Sequence, residues 1–128
     1  MDKDRQRLME LLDLQEKLVN NFGESDYNVF IFGSYITHSY IEGRSDIDIG
    51  IYSDDFKKYL QVSVFIEDYF NELGIKQDMF YINTLVPAPI YCAALESPVC
   101  LTDYYPDKLK VFYQSCKNMQ VALREETA

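Results

Sequence analysis

The stretch that decides the fold is Phe30–Ile51, which reads FIFGSYITHSYIEGRSDIDIGI. In it an apolar strand ends at the turn Gly33-Ser34, and a second strand opens after eleven further residues with Asp46 and Asp48. Because side chains alternate along a strand, the two aspartates face one way and their isoleucine neighbours face the other. Two carboxylates on one face repel each other unless a cation lies between them. Mg2+ prefers such oxygen ligands together with substrate phosphates, so this segment predicts a site for a metal-bound nucleotide.

The turn at Gly33 and Ser34 has two compatible interpretations. Glycine allows a tight turn, and serine can cap a short helix that we expect from Tyr35 to Tyr40. The same turn presents free backbone N–H groups of the kind that bind phosphate. We therefore predict that Gly33 and Ser34 contact the phosphates of the nucleotide.

The order of these residues resembles the nucleotidyltransferase superfamily, and especially its small members, the minimal nucleotidyltransferases. Their signature is Gly-Ser, a spacer of about ten residues and Asp-x-Asp, usually with a serine before the first aspartate. Ser45 occupies that position here, next to Asp46 and Asp48. The resemblance implies a third carboxylate on a later strand, and Asp78 in the segment IKQDMF fits it. The similarity extends from about residue 29 to residue 101.

The resemblance implies a Mg2+-dependent transfer of a nucleoside monophosphate, AMP from ATP in the first instance, to a hydroxyl acceptor. Two Mg2+ ions would lie between Asp46, Asp48 and Asp78, with Asp78 also helping to deprotonate the acceptor. Gly33 and Ser34, with Ser45 beside them, would hold the nucleotide. Small members of the family are similar to antitoxins that act with a helical toxin of the HEPN type, some of them by adding AMP to it.

Two other functions remain compatible with the sequence: an inactive nucleotidyltransferase-like binding module or antitoxin, and an antibiotic-modifying nucleotidyltransferase. The inactive alternative rests on the residues after the turn, where the family commonly carries a basic residue and glycine and this chain reads YITHS. His38, the only histidine, is a candidate phosphate contact or a surface residue. Arg44 is the one cation beside Asp46, and we expect it either to pair with a carboxylate or to contact phosphate.

Composition limits the class of protein. The 128 residues suffice for one nucleotidyltransferase-like domain over residues 1–128, and the apolar share of 48% supports a packed core. The formal charge of −9 argues against a nucleic-acid partner, which would require a cationic surface. Three cysteines without metal-ligand spacing, no signal-like N-terminus and no membrane-length apolar run predict a cytoplasmic protein with buried, reduced thiols.

Hydrophobic periodicity predicts a mixed α+β fold. Helices are expected over about 4–22, 56–73, 87–95 and 107–124, and strands over about 28–32, 46–52, 77–82 and 98–101. Their order along the chain predicts a nucleotidyltransferase-like mixed β-sheet whose helices cover one face. The other face or an edge of that sheet would then be open to a substrate.

Overall fold

The computed structural model describes residues 3–37 and 39–127. Within these ranges it contains four α-helices, one 3-10 turn and four strands. In chain order they are α1 (Lys3–Phe22), β1 (Tyr27–Phe32), a 3-10 turn (Gly33–Ile36), β2 (Ile47–Ser53), α2 (Phe56–Glu72), β3 (Gln77–Tyr81), α3 (Ile90–Leu95), β4 (Val99–Cys100) and α4 (Asp107–Thr127). No helix within these ranges is both long enough and apolar enough to span a bilayer.

The four strands form one mixed sheet in the order β3-β2-β1-β4. Strand β1 is antiparallel to both β2 and β4, whereas β2 and β3 are parallel. Parallel neighbours require a long crossover connection, and α2 supplies it between β2 and β3. The expected mixed α+β fold is confirmed.

Helices α1 and α2 cover one face of the sheet. The isoleucines that alternate with the aspartates on β2 point into this layer and are fully buried, as are the residues that α1 and α2 place over them. The centre of the layer consists of Ile47, Ile49, Ile51, Leu14, Leu18, Ile66 and Phe70. The alternation on β2 therefore delivers the aspartates to the opposite face.

That opposite face has a smaller helical cover, formed by α3 and α4. The apolar stripe of α4, which includes Leu109, Phe112 and Cys116, is buried against Phe30 and its surroundings. Helices therefore pack on both faces of the sheet, and the prediction that they cover one face is wrong in this respect, because an amphipathic C-terminal helix must also bury its apolar side. At Gly50 the cover is so close that an added Cβ would lie 3.0 Å from the Cβ of Ala94.

The structure differs from the sequence-based expectations in three local details. The short helix expected over residues 35–40 is only the 3-10 turn, and the residue at its N-terminal boundary is Phe32, so Ser34 is not a cap. Helix α4 continues to Thr127 instead of ending near Arg124. The cysteines form no disulfide among the described residues, but Cys100 is exposed where a buried thiol was expected.

Candidate functional site

Three aspartates lie at one end of the sheet, on the face that α3 and α4 cover only in part. In the strand register, Asp48 of β2 lies directly opposite Asp78 of β3. Asp46 precedes Asp48 by two residues, just before β2 begins. Residues in register on neighbouring strands point to the same face, and those strands are about 4.8 Å apart. The structure thus places Asp48 beside Asp78, which is about thirty residues away along the chain, and places Asp46 near enough for its charge to act on Asp48.

The carboxylate of Asp48 is the one most affected by this arrangement. It is half-buried, whereas Asp46 and Asp78 are exposed. Burial raises the pKa of the Asp48 carboxyl above its ordinary value, and the negative charges of Asp78 and Asp46 raise it further. Within residues 3–37 and 39–127, Asp48 receives no hydrogen bond that would offset this effect. A bound cation would relieve it.

Gly33 lies directly against Asp48. Its φ of +77° is a conformation that L-residues with side chains rarely adopt. A Cβ built on Gly33 would lie 2.1 Å from Oδ2 of Asp48 and 3.1 Å from its Cγ. Both the backbone conformation and the contact with the carboxylate therefore require glycine, and the turn brings backbone rather than a side chain to the aspartates.

The turn that begins at Gly33 is closed by hydrogen bonds of its own. The backbone carbonyl of Ser34 accepts bonds from the N–H and the hydroxyl of Thr37, each at 2.9 Å. The first N–H groups of such a turn have no partner within it. Gly33, Ser34 and Thr37 also line an open depression that extends to Ser97 beyond α3. The turn can therefore offer both backbone N–H groups and the Ser34 hydroxyl to a ligand.

Arg7 on helix α1 holds this turn from behind. Its Nε donates to the carbonyl of Tyr35 and its Nη2 to the carbonyl of Thr37, both at 3.0 Å. Asp4 pairs with the same Nη2 at 2.5 Å, and the guanidinium carbon lies 5.0 Å from the centre of the Tyr40 ring. The side chain of Arg7 is only 13% exposed, and its bond to the carbonyl of Tyr35 is partly buried. Arg7 fixes the course of the chain just after the Gly-Ser pair.

The position of Arg7 on helix α1 could have indicated its contact with the turn. Arg7 precedes Leu11, Leu14 and Leu18 at helical spacing and therefore lies on the buried side of α1. Glu10 beside it accepts a hydrogen bond of 2.6 Å from the hydroxyl of Tyr35. Burial, with the Glu10 bond as a second cause, raises the pKa of that hydroxyl. A charged residue in phase with an apolar stripe indicates a buried polar contact.

Ser45 closes the loop that leads into the first aspartate. Its hydroxyl accepts the N–H of Ile41 at 3.0 Å, and its own N–H donates to the carbonyl of Ile41 at 2.8 Å. Ser45 is thereby placed to position Asp46. The neighbouring Arg44 is exposed and forms no ion pair within residues 3–37 and 39–127. His38 lies outside the described residues.

The donor set at this end of the sheet consists of carboxylate oxygens. In the described part of the chain, no three Asp, Glu, Cys or His side chains are gathered closely enough to hold a metal ion between them. Mg2+ commonly uses one or two carboxylates and takes its other ligands from water and substrate phosphates. The chemistry of Asp46, Asp48 and Asp78 fits that mode, with a triphosphate completing the shell.

Comparisons with known proteins identify the family and a similar fold. The family described as nucleotidyltransferase domain matches residues 12–100, which include both strands of the Asp46–Asp48 motif and Asp78. A search of the curated proteins finds no significant match. Among solved structures, the chain is similar to a crystal structure of a mutant of the toxin–antitoxin MntA-HpeT, with a TM-score of 0.56 and 15% identity over 91% of this chain and 90% of the other. That likeness concerns the fold, while the family match covers most of the chain. This protein belongs to the nucleotidyltransferase domain family.

Proposed function

We propose that this protein is a Mg2+-dependent nucleotidyltransferase that transfers AMP from ATP to a hydroxyl group of a partner protein, a toxin. The observation that carries this proposal is the register of Asp48 opposite Asp78, with Gly33 packed against the Asp48 carboxylate. Carboxylates that accept no hydrogen bonds from the described residues can bind a metal ion, and a glycine turn beside them can bind the phosphates that the metal carries.

Each residue of the site has a proposed role. Asp46 and Asp48 would hold the metal, two ions in the complete site, and Asp78 would share one of them and accept the proton of the attacking hydroxyl. When bound, Mg2+ would neutralise the charge that develops on the phosphates and make the hydroxyl more acidic. Gly33 and Ser34 would bind the β- and γ-phosphates, and catalysis would come from positioning and charge stabilisation.

The first contribution of Ser45 would be to hold the loop before Asp46. Its hydroxyl already accepts the Ile41 N–H, which leaves it one further acceptor position and its own proton for a phosphate oxygen. We therefore propose a contact between Ser45 and the triphosphate as the second function of a residue that shapes the loop.

The proposal of a toxin partner draws on two observations. The structural neighbour is described as a toxin–antitoxin, and the chain has a formal charge of −9, which suits a basic partner and repels nucleic acid. Free cysteines fit the reducing cytoplasm as the place of the reaction. The alternative, an inactive antitoxin of the same fold, is favoured by the turn sequence Tyr35-Ile36-Thr37, which carries no cationic side chain for phosphate.

Transfer of labelled AMP separates the active from the inactive form. The protein is incubated with Mg2+, α-labelled ATP and the product of the adjacent gene, and the label on that product is measured beside a pull-down of the same pair. Wild type should transfer label, and Asp46→Asn should lose transfer while keeping binding. Asp68→Asn is the matched control, because it removes the same charge from an exposed position on α2. Binding by wild type without any transfer would favour the inactive antitoxin.

A further inference from the structure

Strand β3, which carries Asp78, forms one edge of the sheet and has an open outer side. Two hydrogen bonds to β2 define its orientation: Ile47 N–H to the carbonyl of Lys76 at 2.8 Å, and Ile82 N–H to the carbonyl of Ile51 at 2.9 Å. In a parallel ladder, alternate residues direct their backbone groups to the same neighbour. The backbone of Asp78 and Phe80 therefore faces β2.

The alternate residues of β3, which are Gln77, Met79 and Tyr81, direct their N–H and carbonyl groups away from the sheet. Within residues 3–37 and 39–127 these groups have no backbone partner and no further strand lies beside them. The opposite edge differs, because β4 has only two residues. Natural proteins usually shorten or block exposed edges with lysine, proline or bulges. Strand β3 has five regular residues and no proline, so it is a ready template for an added strand.

This edge lies within reach of the proposed reaction centre. An open groove of about 600 Å³ runs beside it and is lined by Asp46, Glu67, Lys76, Asp78 and Met79, among others. Three carboxylates against one lysine make the groove acidic. An extended segment that binds here would gain from basic side chains, whereas nucleic acid or a second copy of this acidic chain would be repelled.

We propose that the edge of β3 binds the acceptor as an added strand: an extended, basic polypeptide segment that presents a Ser, Thr or Tyr hydroxyl to Asp78. This inference rests on the proposed function and specifies its substrate class. Because Gln77 and Met79 direct their hydrogen bonds outward on either side of Asp78, an antiparallel segment would place a non-hydrogen-bonded residue opposite Asp78. Such pairs have Cα atoms about 4.5 Å apart and side chains on the same face.

The chemical step then balances with the nucleoside triphosphate as the only co-reactant. The hydroxyl oxygen of the segment attacks the α-phosphorus and forms a new O–P bond. The bond between that phosphorus and the oxygen bridging to the β-phosphate breaks, and its electron pair leaves with pyrophosphate. The hydroxyl proton passes to the carboxylate of Asp78, which releases it to water. The added strand brings the hydroxyl to the carboxylate without a separate acceptor-binding domain.

The test removes the outward donor of the edge and keeps the rest of the strand. In Met79→Pro the outward N–H is lost, and a proline is tolerated where an edge strand faces solvent. Met79→Leu keeps the N–H and serves as the matched control. Both variants are assayed with Mg2+ and labelled ATP on synthetic ten-residue peptides, each of which contains one Ser, Thr or Tyr. The remaining positions alternate Val with Lys in one series and Val with Glu in the other.

We expect wild type and Met79→Leu to label the Lys-containing peptides and to label the Glu-containing peptides at least about tenfold less. Met79→Pro should label every peptide about tenfold less than wild type does. The rise in melting temperature with Mg2+ and ATP should be equal in all three proteins. That rise separates this inference from the proposed function: if wild type lacks it and labels nothing, the proposed function fails.

Equal labelling by Met79→Pro and Met79→Leu, or a normal ATP response with no labelled peptide, would overturn the added-strand proposal. Hydrogen exchange on wild type provides a second measurement that does not depend on how a variant folds. In the free protein the amides of Gln77 and Met79 should exchange much faster than those of Asp78 and Phe80. A saturating Lys-containing peptide should slow exchange at Met79, and unchanged exchange there at a peptide concentration that supports labelling would also contradict the proposal.

Discussion

Asp48 and Asp54 stand six residues apart, at the two ends of strand β2, and have opposite electrostatic surroundings. Asp48 has its pKa raised by burial and then by the charges of Asp78 and Asp46. At Asp54 desolvation also disfavours the charge, but hydrogen bonds from Lys108, Tyr104 and Tyr52 outweigh it and lower the pKa to about 2.

The difference separates a carboxylate that stabilises the fold from one that we propose binds a ligand. The donors of Asp54 tie α4 and the chain before it to the sheet: Lys108 pairs with the carboxylate, and the rings of Tyr52 and Tyr104 stack 6.4 Å apart. Among the described residues, the charges that act on the Asp48 carboxylate are those of Asp78 and Asp46, and the backbone of Gly33 packs against it. A half-buried carboxylate that accepts no hydrogen bond from the described residues is a candidate for binding a ligand.

The largest expected effect is a difference in AMP transfer between Asp48→Asn and Asp54→Asn. Asp48→Asn should lower AMP transfer by about 10³-fold, because it removes a charge that holds the metal and stabilises the transferred phosphate. Asp54→Asn should leave transfer within about twofold, since it lies at the far end of the strand. The measurement is the initial rate of label transfer at equal protein concentrations. Similar losses in the two variants would contradict the division of roles.

Gly33→Ala should disturb the same carboxylate from the turn side. The new Cβ would meet Oδ2 of Asp48 at 2.1 Å, in addition to the strain of a φ of +77°. Displacement of a reacting group by about 1 Å commonly costs about 10²-fold in rate. Gly23→Ala is the control, because Gly23 has a φ of +78° and nothing within 4 Å of the added Cβ.

Both glycine variants should lose about 1 to 2 kcal/mol of unfolding free energy from backbone strain. Only Gly33→Ala should also lose transfer, as measured by initial rates on protein that denaturant titration has found to be folded. If Gly23→Ala lost transfer to the same degree, global destabilisation and not the contact with Asp48 would explain the result.

Arg7→Gln should act more weakly, through the position of the turn. Loss of the charged donors to the carbonyls of Tyr35 and Thr37 should lower the unfolding free energy by about 2 kcal/mol. The KM for ATP should rise about fivefold, while kcat changes less than twofold, since Arg7 contacts the turn and not Asp46, Asp48 or Asp78. Exposed Lys57→Gln is the charge-matched control. A fall in kcat with an unchanged KM would contradict a role in holding the phosphate-binding turn.

The smallest effect concerns stability in acid at Asp54. Its folded pKa of about 2 is below its ordinary value of 3.8, so the ionised form stabilises the fold above pH 4, and that contribution is lost as the pH falls toward 2. After discounting for the exposure of this group, the contribution is about 1 kcal/mol. Denaturant titrations at pH 5 and pH 2.5 should show a smaller acid loss for Asp54→Asn than for wild type.

Much of the fold and two of the candidate site residues, Asp46 and Asp48, followed from local pattern. Alternation on β2 predicts which face Asp46 and Asp48 share, and the helix periods place α1, α2 and α4 within a few residues of their observed bounds. Asp78 required the family resemblance, because one aspartate in a short strand is not distinctive. Its place in register with Asp48 depends on the parallel β2–β3 pairing.

Contacts between distant parts of the chain could not be predicted in this way. Arg7 reaches a turn 28 to 30 residues later, and Asp54 gathers Tyr104 and Lys108 from 50 or more residues away. Periodicity describes only neighbours along one element, so it leaves open which polar groups meet across the core. The open edge of β3 likewise depends on strand order, which hydrophobic pattern does not define.

The central claim is that the Asp48 carboxylate binds a metal-bound nucleotide. The melting temperatures of wild type and Asp48→Asn, each with and without ligand, test it most directly. Because the folded pKa of Asp48 is raised, its ionised form destabilises the fold near neutral pH, and Asp48→Asn without ligand should melt above wild type. Mg2+ with a non-hydrolysable ATP analogue at about 100 times Kd should raise the wild-type midpoint by about 8 °C and leave Asp48→Asn unchanged. A variant that melts below wild type without ligand, or that gains as much as wild type with it, would contradict the claim.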